Sequence, residues 1–156
     1  MKRRTFLKTL AATAPLAVVS TPMVLSAKDA KPKSPNGMDL KTALKAVTGG
    51  KAVTDSDKIK LIVPEIAENG AVVPVKINVK HPMEASNYVK TIHVFATQNV
   101  NVRCADVHLT PANGKGYFAT RVKLAKSQDV MALVELSDGS FIKTQKPVKV
   151  TIGGCG

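Results

Sequence analysis

Few residues in the 156-residue chain carry reactive chemistry, and the most conspicuous stands next to the end: Thr151-Ile152-Gly153-Gly154-Cys155-Gly156. Glycine lacks a Cβ and ranges widely over φ/ψ space, so Gly153-Gly154 reads as a hinge with no fixed conformation. Cys155 is then a thiol on a flexible arm, and three extended residues beyond Ile152 reach about 10 Å. Such an arm suits a covalent carrier, whose cargo must leave one active site and enter another. The thiolate is the nucleophile, and at the ordinary thiol pKa of ~8.5 only a few per cent is ionised at neutral pH. An enzyme's own nucleophile needs an adjacent base or cation. The arm contains none, so activation falls to a partner. The same residues fit two plainer readings. One is a frayed terminus with an incidental cysteine; the other is an interchain disulfide in an oxidising compartment.

The remaining reactive residues form no comparable pattern. Cys104, in Asn101-Val102-Arg103-Cys104-Ala105, reads as a small residue buried in a strand. A bond between Cys104 and Cys155 would tether the arm. His81, His93 and His108 lack the short spacing of a metal-ligand pair, and no metal site is assigned. His93 lies in a strand and packs or faces solvent. Glu65 and Glu68 precede Asn69-Gly70, where they could cap backbone amides or meet a partner, but paired-carboxylate catalysis needs a cleft between the two groups. There is no Gly-x-Ser-x-Gly elbow, no phosphate-binding glycine loop and no Cys-x-x-Cys. No cofactor is expected, and the chain reads as a non-enzyme.

The elements that must position the arm follow from periodicity. Met1-Lys2-Arg3-Arg4-Thr5-Phe6-Leu7-Lys8 places four cations ahead of an apolar stretch, Thr9–Ala27, broken by Pro15 and Pro22. This reads as an export leader, residues 1–27, whose paired arginines have the twin-arginine form and imply a periplasmic mature chain; an ordinary Sec signal or an uncleaved membrane anchor fits the same segment. Cleavage removes four cations and takes the formal charge from +12 to +8. Residues 28–37 are a Lys/Pro/Ser/Gly linker. Leu40, Ala43, Leu44 and Val47 make one helical stripe, with Asp39 at the favourable N-terminal end and Gly49-Gly50 as its stop.

After Lys51 the period becomes two. Val73, Val75, Ile77 and Val79 alternate with Pro74, Lys76, Asn78 and Lys80, and Pro74 marks an edge strand or a strand's start. Further strands are expected at Lys58–Val63, Tyr88–Ala96, Val100–Leu109, Tyr117–Leu124, Val130–Leu136 and Phe141–Ile152, with turns at Asn69-Gly70, Asn113-Gly114 and Asp138-Gly139. The predicted fold is an all-β, immunoglobulin-like antiparallel β-sandwich over residues 38–152, with a short N-terminal helix and a flexible C-terminal arm, 153–156. The Ala71–Val79 and Tyr88–Phe95 strands carry apolar residues on more than one face. That pattern reads as a subunit interface, or as a bend in the strand.

Two segments near opposite ends, Pro64-Glu65-Ile66-Ala67-Glu68-Asn69-Gly70-Ala71-Val72-Val73-Pro74-Val75 and Val148-Lys149-Val150-Thr151-Ile152-Gly153-Gly154-Cys155-Gly156, resemble SoxY, the sulfur-carrier family of bacterial thiosulfate oxidation. The leader, Arg121–Lys126 and Ser137-Asp138-Gly139 agree in order. The resemblance implies that Cys155 is the covalent attachment point for thiosulfate-derived sulfur. Gly153, Gly154 and Gly156 would form the swinging arm. It implies a SoxZ-like partner sandwich, exported as a folded pair with this chain. Further implied partners are a c-type cytochrome, a sulfate-releasing hydrolase and, where present, a sulfane dehydrogenase. The family's tail usually has two or more glycines after the cysteine; here only Gly156 follows.

Composition excludes other classes. The absence of Trp and the 4% aromatic content leave little for stacking bases. The mature cations are 17 Lys against Arg103 and Arg121 alone, whereas base readers favour Arg. Nucleic acid is therefore not a partner, nor is a membrane. The spread positive charge would attract anions such as thiosulfate, screened over ~8–10 Å. The alternative function is a periplasmic immunoglobulin-like binding or assembly domain cross-linked through its terminal cysteine.

Overall fold

A computed structural model describes residues 37–154. Residues 1–36, on which the expected leader and most of the expected linker fall, and Cys155 and Gly156 lie outside the described residues.

The helical stripe forms α1 (Leu40–Thr48). Asp39 caps it, its carboxylate accepting from the Thr42 backbone N–H at 2.9 Å and from the Thr42 hydroxyl at 2.8 Å. These bonds to the ionised form hold the Asp39 carboxyl below its ordinary pKa. At the other end Gly49 takes φ 63° and donates to the Lys45 carbonyl, a left-handed stop.

The strands are β1 (Val53–Asp55), β2 (Ile59–Ile62), β3 (Ile66–Asn69), β4 (Val73–Val79), β5 (Val89–Ala96), β6 (Arg103–His108), β7 (Gly116–Val122), β8 (Gln128–Leu136) and β9 (Phe141–Ile152). One sheet has the order β1-β9-β8-β5-β6, with β3 also on β9; the other is β2-β4-β7. The all-β sandwich is thus the observed architecture, with one correction. β1 and β3 pair parallel to β9, so the large sheet is mixed. At 12 residues β9 outruns β8, and its second edge takes β1 at its start and β3 at its end.

Between the sheets, inward side chains of β2, β4, β5, β7 and β8 form one core that includes Leu61, Val75, Ile77, Ile92, Val94 and Val134. β4 alternates perfectly between buried and exposed, so Pro74, Lys76 and Asn78 face away and the strand has a single apolar face. Although β4 is central in its sheet, Pro74 lies near its start, before the first residue paired with β2, Lys76. The missing N–H therefore costs no β2 bond.

β5 corrects the interface reading. A register shift between Val89 and Thr91 puts Val89 in the same core as Ile92 and Val94. Its opposite face is covered from within the chain: Phe95, fully buried, packs in a second cluster with Ala43, Val102, Met131, Leu133 and Phe141, flanked by Leu40, Leu44 and Val47 of α1. The two-sided apolarity therefore reports a helix laid on the outer face of the sheet. Burying a Phe this way contributes ~1.5–3 kcal/mol relative to exposure.

Candidate functional site: the root of the C-terminal arm

The last described residues do not leave the sandwich as a free end. Beyond Val148, which pairs with Gln128, β9 has run out of β8. The Ser127 side chain takes over, accepting from the Val150 N–H at 2.9 Å and donating to the Val150 carbonyl at 3.4 Å. On the other edge β3 continues in parallel, pairing Ala67 with Val150 and Asn69 with Ile152.

Three chain segments then meet through their backbones. Gly70 donates to the Ile152 carbonyl at 2.7 Å, Leu124 donates to the Gly70 carbonyl at 2.7 Å, and Gly154 donates to the Leu124 carbonyl at 2.9 Å. The approach is close enough to need glycine at all three glycine positions. A Cβ on Gly154 would stand 2.6 Å from Ala71 N and from the Gly70 carbonyl. One on Gly70 would overlap the Leu124 carbonyl oxygen and lie 2.8 Å from Gly154 N; one on Gly153 would overlap the Ala125 carbonyl oxygen. Neither Gly153 nor Gly154 has a positive φ. The two glycines expected to act as an unconstrained hinge are thus held by contact in this structure, and the property they use is the missing side chain.

The loop that receives them is itself pinned. Asn99 and Gln128 are buried. Asn99 Nδ2 donates to the Lys123 carbonyl at 2.7 Å, and its Oδ1 accepts from Ala125 N at 3.0 Å and from Gln128 Nε2 at 2.8 Å. Gln128 also donates to the Lys126 carbonyl at 3.1 Å and accepts from Gln98 N at 2.7 Å. On the opposite side Asn69 Oδ1 accepts from Ala71 N at 2.8 Å, closing an Asx turn. Sequence reasoning misses Asn99, in the loop after β5, and Gln128, the first residue of β8, since a lone amide at the edge of a strand carries no periodic signal.

The structure therefore brings together the two segments singled out near opposite ends of the sequence: Asn69-Gly70 of the first lies against Ile152-Gly153-Gly154 of the second. Around this root, Ile66, Val72 and Ile152 are exposed apolar side chains, and Lys123, Lys126 and Lys149 are exposed cations. The Glu65 and Glu68 side chains are exposed as well, and the Glu65 carbonyl accepts from Lys149 N at 2.9 Å.

The other candidates lie elsewhere and apart. Cys104 is on β6, three strands across the sheet from β9, partly buried. Burial pushes its thiol pKa up, the opposite of what a reactive cysteine needs. His81 bonds Asn87 Oδ1 at 2.7 Å through Nε2 and His108 bonds Thr91 Oγ1 at 3.1 Å through Nδ1. His93 is buried, with Nδ1 on the Asp106 carboxylate, whose other oxygen accepts from Arg103 Nε at 2.8 Å. No three His, Cys, Asp or Glu side chains converge on a metal-sized site among the described residues. No helix among them is long and apolar enough to cross a membrane.

The sulfur oxidation protein SoxY family matches residues 44–155, from inside α1 through the terminal cysteine. The chain belongs to the SoxY family. Among solved structures it is similar to the sulfur carrier protein SoxY from Chlorobium limicola f thiosulfatophilum, with 30% identity and a TM-score of 0.62 over 73% of this chain and 97% of that one. The sandwich is also shared with superoxide reductase (neelaredoxin) from Ignicoccus hospitalis, at 21% identity and a TM-score of 0.54 over 70% of this chain and 86% of that one. A superoxide reductase from Nanoarchaeum equitans is similar at 15% identity and a TM-score of 0.51, covering 62% and 99%. At these identities the likeness to the reductases is one of fold. No curated sequence matches the chain. The SoxY match includes both segments that meet at the arm root.

Proposed function

We propose that this SoxY-family chain is a covalent, non-enzymatic sulfur carrier of periplasmic thiosulfate oxidation, with Cys155 as the attachment point. One observation carries the reading: the family match runs through Cys155, one peptide unit beyond a glycine root anchored on the sandwich. The solved SoxY of Chlorobium limicola is described as a sulfur carrier protein, which supports it. So does the contrast with Cys104, which is partly buried with its thiol pKa pushed up by that burial.

In the loading step an S–S bond forms between Cys155 Sγ and the terminal sulfur of thiosulfate. The thiol proton is lost and two electrons pass to a c-type cytochrome partner. A hydrolase then directs water onto the sulfone sulfur; its bond to the carried sulfur breaks, sulfate leaves and a cysteine persulfide stays behind. A sulfane dehydrogenase, where present, oxidises that sulfur. The chain needs no cofactor of its own in this scheme. The exposed lysines near the root draw anionic substrate toward the thiol. A SoxZ-like sandwich is the constitutive partner, exported with this chain by its twin-arginine leader, and Gly153, Gly154 and Gly156 give the thiol its freedom between partners.

The test is intact and C-terminal-peptide mass spectrometry of the protein from periplasm of cells consuming thiosulfate. Reductant-labile sulfur or thiosulfate adducts are expected on Cys155 and absent from Cys104. Cys155→Ser should still bind the partner sandwich and carry nothing. A bare thiol, or only a homodimeric disulfide at Cys155, would replace the carrier with a cross-linked binding domain.

A further inference from the structure

The arm root described above contains more structure than a tether requires. Three backbone hydrogen bonds link Ile152, Gly70, Leu124 and Gly154 in sequence. Two of the three segments involved are fixed independently: the Asn69-Gly70 turn by the Asn69 side chain, and the 123–128 loop by the buried Asn99 and Gln128 amides. Gly70 is buried at the centre, and any side chain there meets both the Leu124 carbonyl and Gly154 N. Gly70 has no positive φ to explain its identity. What requires glycine at this position is the joint approach of the Leu124 carbonyl, the nearest atom, and of the tail at Gly154 N.

From this we infer that Gly70 is a positioning residue for the carrier thiol: with Leu124 it forms a seat that holds Gly154 and fixes the point from which Cys155 leaves the sandwich. The inference rests on the carrier reading for its meaning, but the seat itself is a separate claim. The seat gives the arm two lengths. With the Gly154 N–H on the Leu124 carbonyl, the last fixed point lies one residue before the thiol, a single Cα–Cα step of about 3.8 Å. With that one bond released, the pivot retreats to Ile152, and three residues span about 10 Å. A partner with a shallow site can use the seated arm. A partner with a deep, narrow site must first draw Gly153 and Gly154 off the Ala125 and Leu124 carbonyls, which only an extended, side-chain-free segment permits. Residues 153 and 154 thus meet two requirements together, close seating on the carrier and passage into a cleft.

The experiment compares the mature chain, in complex with its partner sandwich, with its Gly70→Ala and Gly154→Ala variants. Gly154→Ala lies beyond β9 and outside both core clusters, and tests the seat even if Gly70→Ala folds poorly. The first readout is amide exchange at Gly154. Protection is expected in the wild type and should fall at least about fivefold in either variant, the factor expected for losing one backbone hydrogen bond. The second is alkylation of the Cys155 thiol by a bulky maleimide relative to iodoacetamide. The bulky reagent should gain in both variants, because an unseated thiol stands farther from the sandwich. An unprotected Gly154 amide in the wild type, or variants that change neither readout, would overturn the seat. A seat that behaves as described on a chain whose Cys155 never bears sulfur would instead overturn the carrier reading and leave the seat standing.

Discussion

Gly49-Gly50 and Gly153-Gly154 are the same dipeptide, each placed just after a regular element, and the fold draws on different properties of glycine at the two places. After α1 both residues adopt positive φ, 63° and 85°, and a Cβ on either would meet nothing within 4 Å. There the requirement is dihedral: an L side chain is disfavoured by its own backbone. After β9 the dihedrals are open to any residue and the requirement is space, since added Cβ atoms run into Ala125, Ala71 and Gly70. A helix stop is local and can be built anywhere. A seat exists only because distant segments have been brought to it.

Three substitutions probe this difference. The largest effect is expected from Asn99→Leu, which leaves the Lys123 carbonyl and Ala125 N–H without their buried partner. Stability should fall by about 2–4 kcal/mol in urea unfolding, with faster exchange at the Gly154 amide, far from the substitution in sequence. Gly49→Ala should cost about 1–2 kcal/mol through left-handed strain, read as a Tm lower by roughly 4–8 °C, and leave Gly154 exchange unchanged. If Gly49→Ala altered the tail, or Asn99→Leu spared it, the contrast between a local stop and an assembled seat would fail. Gly50→Asn should be the mildest, under about 0.5 kcal/mol, because Asn tolerates positive φ and the site is open. A larger loss by the same unfolding assay would mean that space, not dihedral, governs this pair too.

The same distinction separates what was legible in the sequence from what was not. Periodicity finds α1 from Leu40, Ala43, Leu44 and Val47, and β4 and β9 with their observed bounds, because each pattern reports a face turned to a core. β1 and β3 are invisible to that method. They are three and four residues long, show little alternation, and exist by parallel pairing to a strand at the far end of the chain. The apolar outer face of β5 is legible as burial, but its cover is not: a partner protein and a helix of the same chain leave one signature at Phe95. At the arm root the need for glycine can be read at Gly153 and Gly154. The reason for it depends on Gly70 and the Leu124–Ala125 carbonyls, which only tertiary structure supplies. Cys104 lies in a strand as expected, but it is partly rather than fully buried.

The parallel pairing of β3 with the end of β9 has a consequence for how the chain comes to its native state. The partners of β9 on that edge, β1 and β3, lie far earlier in the chain, so these contacts are of long range and slow to close. During synthesis the Ile152 carbonyl cannot meet Gly70 until residue 152 itself has emerged from the ribosome. The root of the arm is therefore set in place late, after the strands that receive it. A chain in which β3 and β9 have not yet paired has no place to hold Gly154 on Leu124, so the seat is a property of the folded sandwich and of no shorter segment.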